Sequence, residues 1–171
     1  LARRLALPLE GYTADGGFFV EGDSPLLEAH QRLLGGEAEG ADLLRLSSPL
    51  VRLQVLAEGE APVERLLEAL PRGLQAHVAE SPKMPGVRFV SLTKEGVSKL
   101  SAARLVAEAY GLPLSEGALV GGGAPGLDLP RAVGVGIARG NAPPSVKRAA
   151  QRVVAPVEAC GLAEALRLLR G

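Results

Sequence analysis

From Pro85-Gly86 onward the chain alternates short apolar strands with helices, and no other feature limits its possible folds as tightly. Val87 to Leu92 reads as a strand and Ser98 to Tyr110 as an alanine-rich helix. Ala118 to Val120 and Val135 to Ala138 are strands again, and Pro144 to Arg152 is helical. Val153-Val154 supplies one last edge strand, and Leu162, Leu166 and Leu169 give a closing helix its apolar stripe. Parallel neighbours need long crossovers, usually helical, so this alternation predicts an α/β fold with a doubly wound parallel sheet.

The first half is patterned differently. Tyr12 to Val20 holds two short strands around Asp15-Gly16, a strong hairpin signal. Ser24-Pro25 opens a helix that Gly35-Gly36 ends. Val51, Leu53 and Val55 alternate with Arg52 and Gln54, as a half-buried strand requires. Val63, Leu66, Leu67 and Leu70 then fall at i, i+3, i+4, i+7 before Pro71 stops the helix, and Leu74, Ala76 and Val78 alternate once more. Residues 22–85 are therefore expected to form a small α+β module, a sheet covered on one face by helices. Residues 1–21 and 86–171 are expected to form the α/β core. Leu1 to Leu7 reads as the end of a helix whose beginning is absent, which suggests a truncated chain.

Composition narrows the function classes. Nineteen Lys and Arg balance nineteen Asp and Glu, and aromatics are 3% of the 171 residues, so neither a net field nor a stacking surface favours nucleic acid. The apolar runs are too short for a bilayer span. The lone Cys160 has no internal partner and the first residues show no charged segment followed by an apolar run and cleavage site, so a cytoplasmic location is the expectation. Few thermolabile side chains fit a heat-adapted source, although GC-rich coding produces the same bias.

The glycine-rich turn Gly121 to Gly126 lies between a strand and a helix and has three readings. Gly121, Gly123 and Gly126 satisfy G-x-G-x-x-G, but the acidic residue about twenty positions on that would hold a ribose is missing. No Gly-Lys-Ser/Thr follows, so it is not a P-loop. It also reads simply as a tight turn without a ligand. The third reading needs Gly96-Val97-Ser98-Lys99 upstream, then Gly134 to Ala142, Val146 to Ala150 and Gly161-Leu162-Ala163 downstream. In that order and spacing, from about Phe89 to Leu169, these resemble the haloacid dehalogenase-like phosphatases of the Cof type, which include mannosyl-3-phosphoglycerate phosphatase. The Asp15-Gly16-Gly17 hairpin resembles, more loosely, the turn into that family's cap.

The resemblance implies a core sheet with a small cap, magnesium as cofactor and a small phosphorylated metabolite as partner, hydrolysed through an aspartyl-phosphate. It implies phosphate-binding roles for Lys99 and Asn141, each with an alternative as a solvated helix-start lysine and a turn or cap asparagine. The family's Gly-Asp-x-x-Asn-Asp metal turn appears here as Gly121 to Gly126, so Gly122 and Gly126 stand at the carboxylate positions and Pro125 at that of the asparagine. Asp128 is the one nearby carboxylate. The nucleophile motif Asp-x-Asp-Gly-Thr is absent. The expectation is a phosphatase-lineage chain, truncated or inactive as it stands, with no catalytic residue or metal site of its own. A non-catalytic phosphometabolite-binding or assembly protein is the alternative. His30 and His77 lack partners at ligand spacing, Cys160 reads as a packed side chain, and Arg45 and Arg52 as ordinary surface arginines.

Overall fold

The computed structural model describes residues 1–122 and 131–170, which fall into two units, Leu1–Gly96 and Val97–Gly171.

The first unit is built on strands β1 (Leu9–Thr13), β2 (Phe18–Glu21), β3 (Glu39–Gly40), β4 (Leu50–Glu58), β5 (Leu74–Ser81) and β6 (Met84–Lys94), with helices α1 (Pro25–Leu34) and α2 (Ala61–Glu68). The predicted hairpin joins β1 to β2. Gly16 takes a φ of 90°, and the Gly17 amide donates to Thr13 Oγ1 at 2.9 Å. Ser24 caps α1 by accepting from the Leu26 amide at 3.2 Å, and Gly35 closes that helix in the left-handed region. The sheet order is β3-β2-β1-β4-β6-β5; every pair is antiparallel except β2–β3.

Two features differ from the sequence expectation. Strands β1 and β2, from within residues 1–21, and β6, which runs through Gly86, belong to this sheet: β1 pairs with β4 and β6 lies between β4 and β5. The division therefore falls after Gly96. Helices also cover both faces. Val63 and Leu66 of α2 pack with Val55, Ala57, Val90 and Leu92 on one side, while Leu27 of α1 packs with Leu56, Val87 and Phe89 on the other. Burying a leucine as Leu66 is buried contributes about 1.5–3 kcal/mol relative to exposure.

The second unit holds the predicted parallel strands, β7 (Ala118–Gly121), β8 (Val135–Arg139) and β9 (Arg152–Val154), in the order β7-β8-β9. Ile137 and Ala138 point to opposite faces. Ile137 packs with Val154 and with Ala165 of α5 (Gly161–Arg170), whereas Ala138 packs with Ala142 and with Val146 of α4 (Pro144–Ala149). A strand buried on both faces is what a doubly wound sheet demands. The helix expected to reach Arg152 stops at Ala149, because Ala150 turns extended and leads the chain into β9. Helix α3 (Lys99–Ala109) precedes β7 and buries none of its residues.

Candidate functional site

In parallel α/β sheets, ligands gather beyond the carboxyl ends of the strands. Gly121 pairs with Ala138 at that end of β7 and β8, so the next residues, Gly122 and Arg139, are neighbours. A β-carbon built on Gly122 would stand 3.1 Å from Arg139 Nη2 and 3.3 Å from Nε. The guanidinium therefore lies against the glycine, in the space where a side chain would begin. Gly140 follows, packed so closely on Pro156 and the Val154 carbonyl that a β-carbon would meet them at 3.0 and 3.1 Å. This crowding holds the loop against the end of β9 and leaves Asn141 exposed at the turn, where the Ala142 amide donates to the Arg139 carbonyl at 2.8 Å.

Asn141 does not cap α4, whose cap residue is Pro143 with no side-chain hydrogen bond. Lys99 is the first residue of α3, exposed, behind a reciprocal cap in which Ser98 Oγ accepts from the Ser101 amide at 3.0 Å and Ser101 Oγ accepts from the Ser98 amide at 2.8 Å. Among the described residues no hydrogen bond or ion pair links Lys99 to Asn141 or Arg139. The topology thus gathers Gly122, Arg139 and Asn141 at one sheet end, with Lys99 on a separate helix start. Gly126 and Asp128 lie outside the described residues. Among those described, no three His, Cys, Asp or Glu side chains are placed to hold a metal ion, and Gly122, which offers no side-chain ligand, has the guanidinium of Arg139 against it, so the charge already there disfavours a divalent cation at this spot.

The charge balance is local as well. The Val97–Gly171 unit carries nine Lys and Arg against five Asp and Glu, leaving ten against fourteen for Leu1–Gly96, so the neutral total conceals a positive unit and a negative one.

Sequence reasoning missed a buried polar network in the first unit. Glu10 is 0% exposed. It accepts from Gln54 Nε2 at 2.7 Å and from the Tyr12 hydroxyl at 2.9 Å, and lies 2.7 Å from His30 Nδ1. Ser91 Oγ extends the row to Gln54 Oε1 at 3.2 Å. Burial, with Glu10 beside it, pushes the Tyr12 phenol up to about 12, and Arg52 stacks 3.9 Å from the Tyr12 ring centre. His30 is thus a partner of Glu10, and Arg52 is engaged with an aromatic face. The available signal was the alternation of β1, which sets Glu10 and Tyr12 on one face with Arg52 and Gln54 of β4. Cys160, read as packed, is exposed at a left-handed φ of 56°.

The family model for haloacid dehalogenase-like hydrolases matches residues 59–166, more than half of the chain. The chain belongs to that family. Its fold is shared with solved haloacid dehalogenase-like proteins. A haloacid dehalogenase-like hydrolase from Bacteroides thetaiotaomicron is 24% identical, with a TM-score of 0.78 over 98% of this chain and 63% of its own. The subclass IIB sugar phosphatase BT4131 is 18% identical, with a TM-score of 0.74 over 98% of this chain and 62% of its own. TM0651 from Thermotoga maritima is 18% identical, with a TM-score of 0.72 over 97% and 62%. At these identities the likeness is one of fold, and the chain spans about three fifths of these relatives' lengths. No curated protein matches. Among the described residues no helix is long and apolar enough to cross a membrane.

Proposed function

We propose that this haloacid dehalogenase-like chain holds the phosphate of a small phosphate ester, of the sugar phosphate or phosphoglycolate type, at the carboxyl ends of β7 and β8, and that by itself it has little or no magnesium-dependent hydrolase activity. The observation that carries this reading is Gly122, a residue without a ligating side chain that lies against the Arg139 guanidinium at this sheet end. Lys99 supplies an ammonium to balance phosphate charge, and the Asn141 amide supplies a neutral donor on the loop leaving β8. Without a carboxylate at Gly122, and without the nucleophile motif, phosphate is bound and not transferred. In the longer assembly that the relatives represent, the same residues would serve a phosphatase.

The reading is tested by titrating the chain with inorganic phosphate and following 31P chemical shift or heat. Lys99→Gln is expected to weaken binding by about tenfold or more, the order of one hydrogen bond to a charged group. Asn141→Ala is expected to weaken it less. Equal affinity in wild type and both variants overturns the assignment.

A further inference from the structure

We infer that Arg139 takes over the charge role of a divalent cation, so that oxyanion binding at the carboxyl end of β7 and β8 is independent of magnesium. This rests on the phosphate-binding reading above and adds to it the source of the positive charge.

Three observations meet here. The register Gly121↔Ala138 places Gly122 and Arg139 side by side just past the paired strands. The guanidinium lies over Gly122, with Nη2, Nε and Cζ at 3.1, 3.3 and 3.6 Å from a β-carbon built there. An aspartate in that position would ion-pair with this arginine before it met a metal ion. Among the described residues no carboxylate neutralises Arg139, and it lies in the unit with the surplus of Lys and Arg. Glycine and arginine are therefore complementary: one leaves the space and the other fills it with a fixed charge. A guanidinium presents a planar fork of donors suited to phosphate oxygens, carries its charge at any working pH, and repels a second cation from the same place.

The experiment titrates the full chain with inorganic phosphate, once in EDTA and once in excess magnesium, for wild type, Arg139→Met, Arg139→Lys and Lys99→Gln, with circular dichroism to establish that each variant is folded. Wild type is expected to bind phosphate equally, within about twofold, in both buffers. Arg139→Met is expected to lose about tenfold or more, and Arg139→Lys, which keeps the charge but not the fork, to fall between. Magnesium tightening wild-type binding by tenfold overturns the inference, as does an Arg139→Met chain that binds like wild type. If Lys99→Gln weakens binding while folded Arg139→Met does not, the phosphate-binding reading stands and the role of Arg139 falls. If wild type binds no phosphate in either buffer, the reading itself has failed.

Discussion

Helices α2 and α3 both border sheets and both carry apolar side chains, yet they are buried very differently. In α2, Leu66 is 1% exposed and Val63 nearly as covered, packed on the six-stranded sheet. In α3 no residue is buried: Leu105 is 68% exposed and Val106 57%. An apolar cleft runs beside it, lined by Val106, Tyr110, Leu112, Leu114, Leu119 and Val133. Strand β7, which follows α3, pairs with β8 alone among the described strands. The comparison separates stability from chemistry. The first unit has a wide sheet covered on two faces and a satisfied polar network, while the second has the candidate anion site on a narrower sheet whose leading helix is hardly anchored. Local opening should therefore cost less in the second unit.

The largest expected effect would break that contrast if it failed. Glu10→Leu leaves Gln54 Nε2 and His30 Nδ1 facing an apolar side chain, and should destabilise the first unit by roughly 2–6 kcal/mol in chemical denaturation, about 1–3 kcal/mol for each of the two buried polar groups left without a partner. A loss below 1 kcal/mol would mean that the network contributes little. Next comes a matched pair of truncations. Leu66→Ala should cost about 2–5 kcal/mol, whereas Leu105→Ala on α3 should stay within about 0.5 kcal/mol. Equal costs would show that α3 is anchored after all, and hydrogen exchange, expected to be faster along α3 than along α2, sharpens the same point.

A smaller effect concerns pH. Burial raises the Tyr12 phenol to about 12, above an unfolded value near 10. The folded state therefore keeps a proton that the unfolded state gives up, and the contribution is complete below about pH 10 and lost as pH rises toward about 12. Ultraviolet titration of tyrosinate should show a late component that Tyr12→Phe removes; its persistence in that variant would refute the assignment. The smallest effect is at the surface. Arg3 holds the Glu21 and Asp42 carboxyls below their usual range through side-chain hydrogen bonds. That stabilisation is present at neutral pH and lost as pH falls through the lowered values. Arg3→Ala should cost little at pH 7 in an acid denaturation series, and nothing once both carboxyls are protonated.

Much of the local structure was legible because it is written locally. The spacing of Val63, Leu66 and Leu67 placed α2, Asp15-Gly16 placed the hairpin, β7 and β8 were read from short apolar runs between glycines, and β9 from Val153-Val154. What escaped depends on pairing between distant segments. Alternation in β4 set Gln54 opposite the apolar face, and a solvent-facing position was the natural reading; only the β1–β4 register, with Glu10 across from it and His30 of α1 close by, makes it buried. The unit boundary escaped for the same reason, since β6 joins the first sheet through pairing with β4 and β5. Gly122 stood out in the glycine-rich run that follows β7. Its neighbour Arg139, seventeen positions later, did not, because a strand register alone brings the two together.

The most direct test of the central claim is a hydrolysis assay of the purified chain on a chromogenic phosphate monoester with saturating magnesium. The account predicts no release above the uncatalysed blank, in magnesium or in EDTA. Turnover that requires magnesium and disappears in EDTA would contradict it.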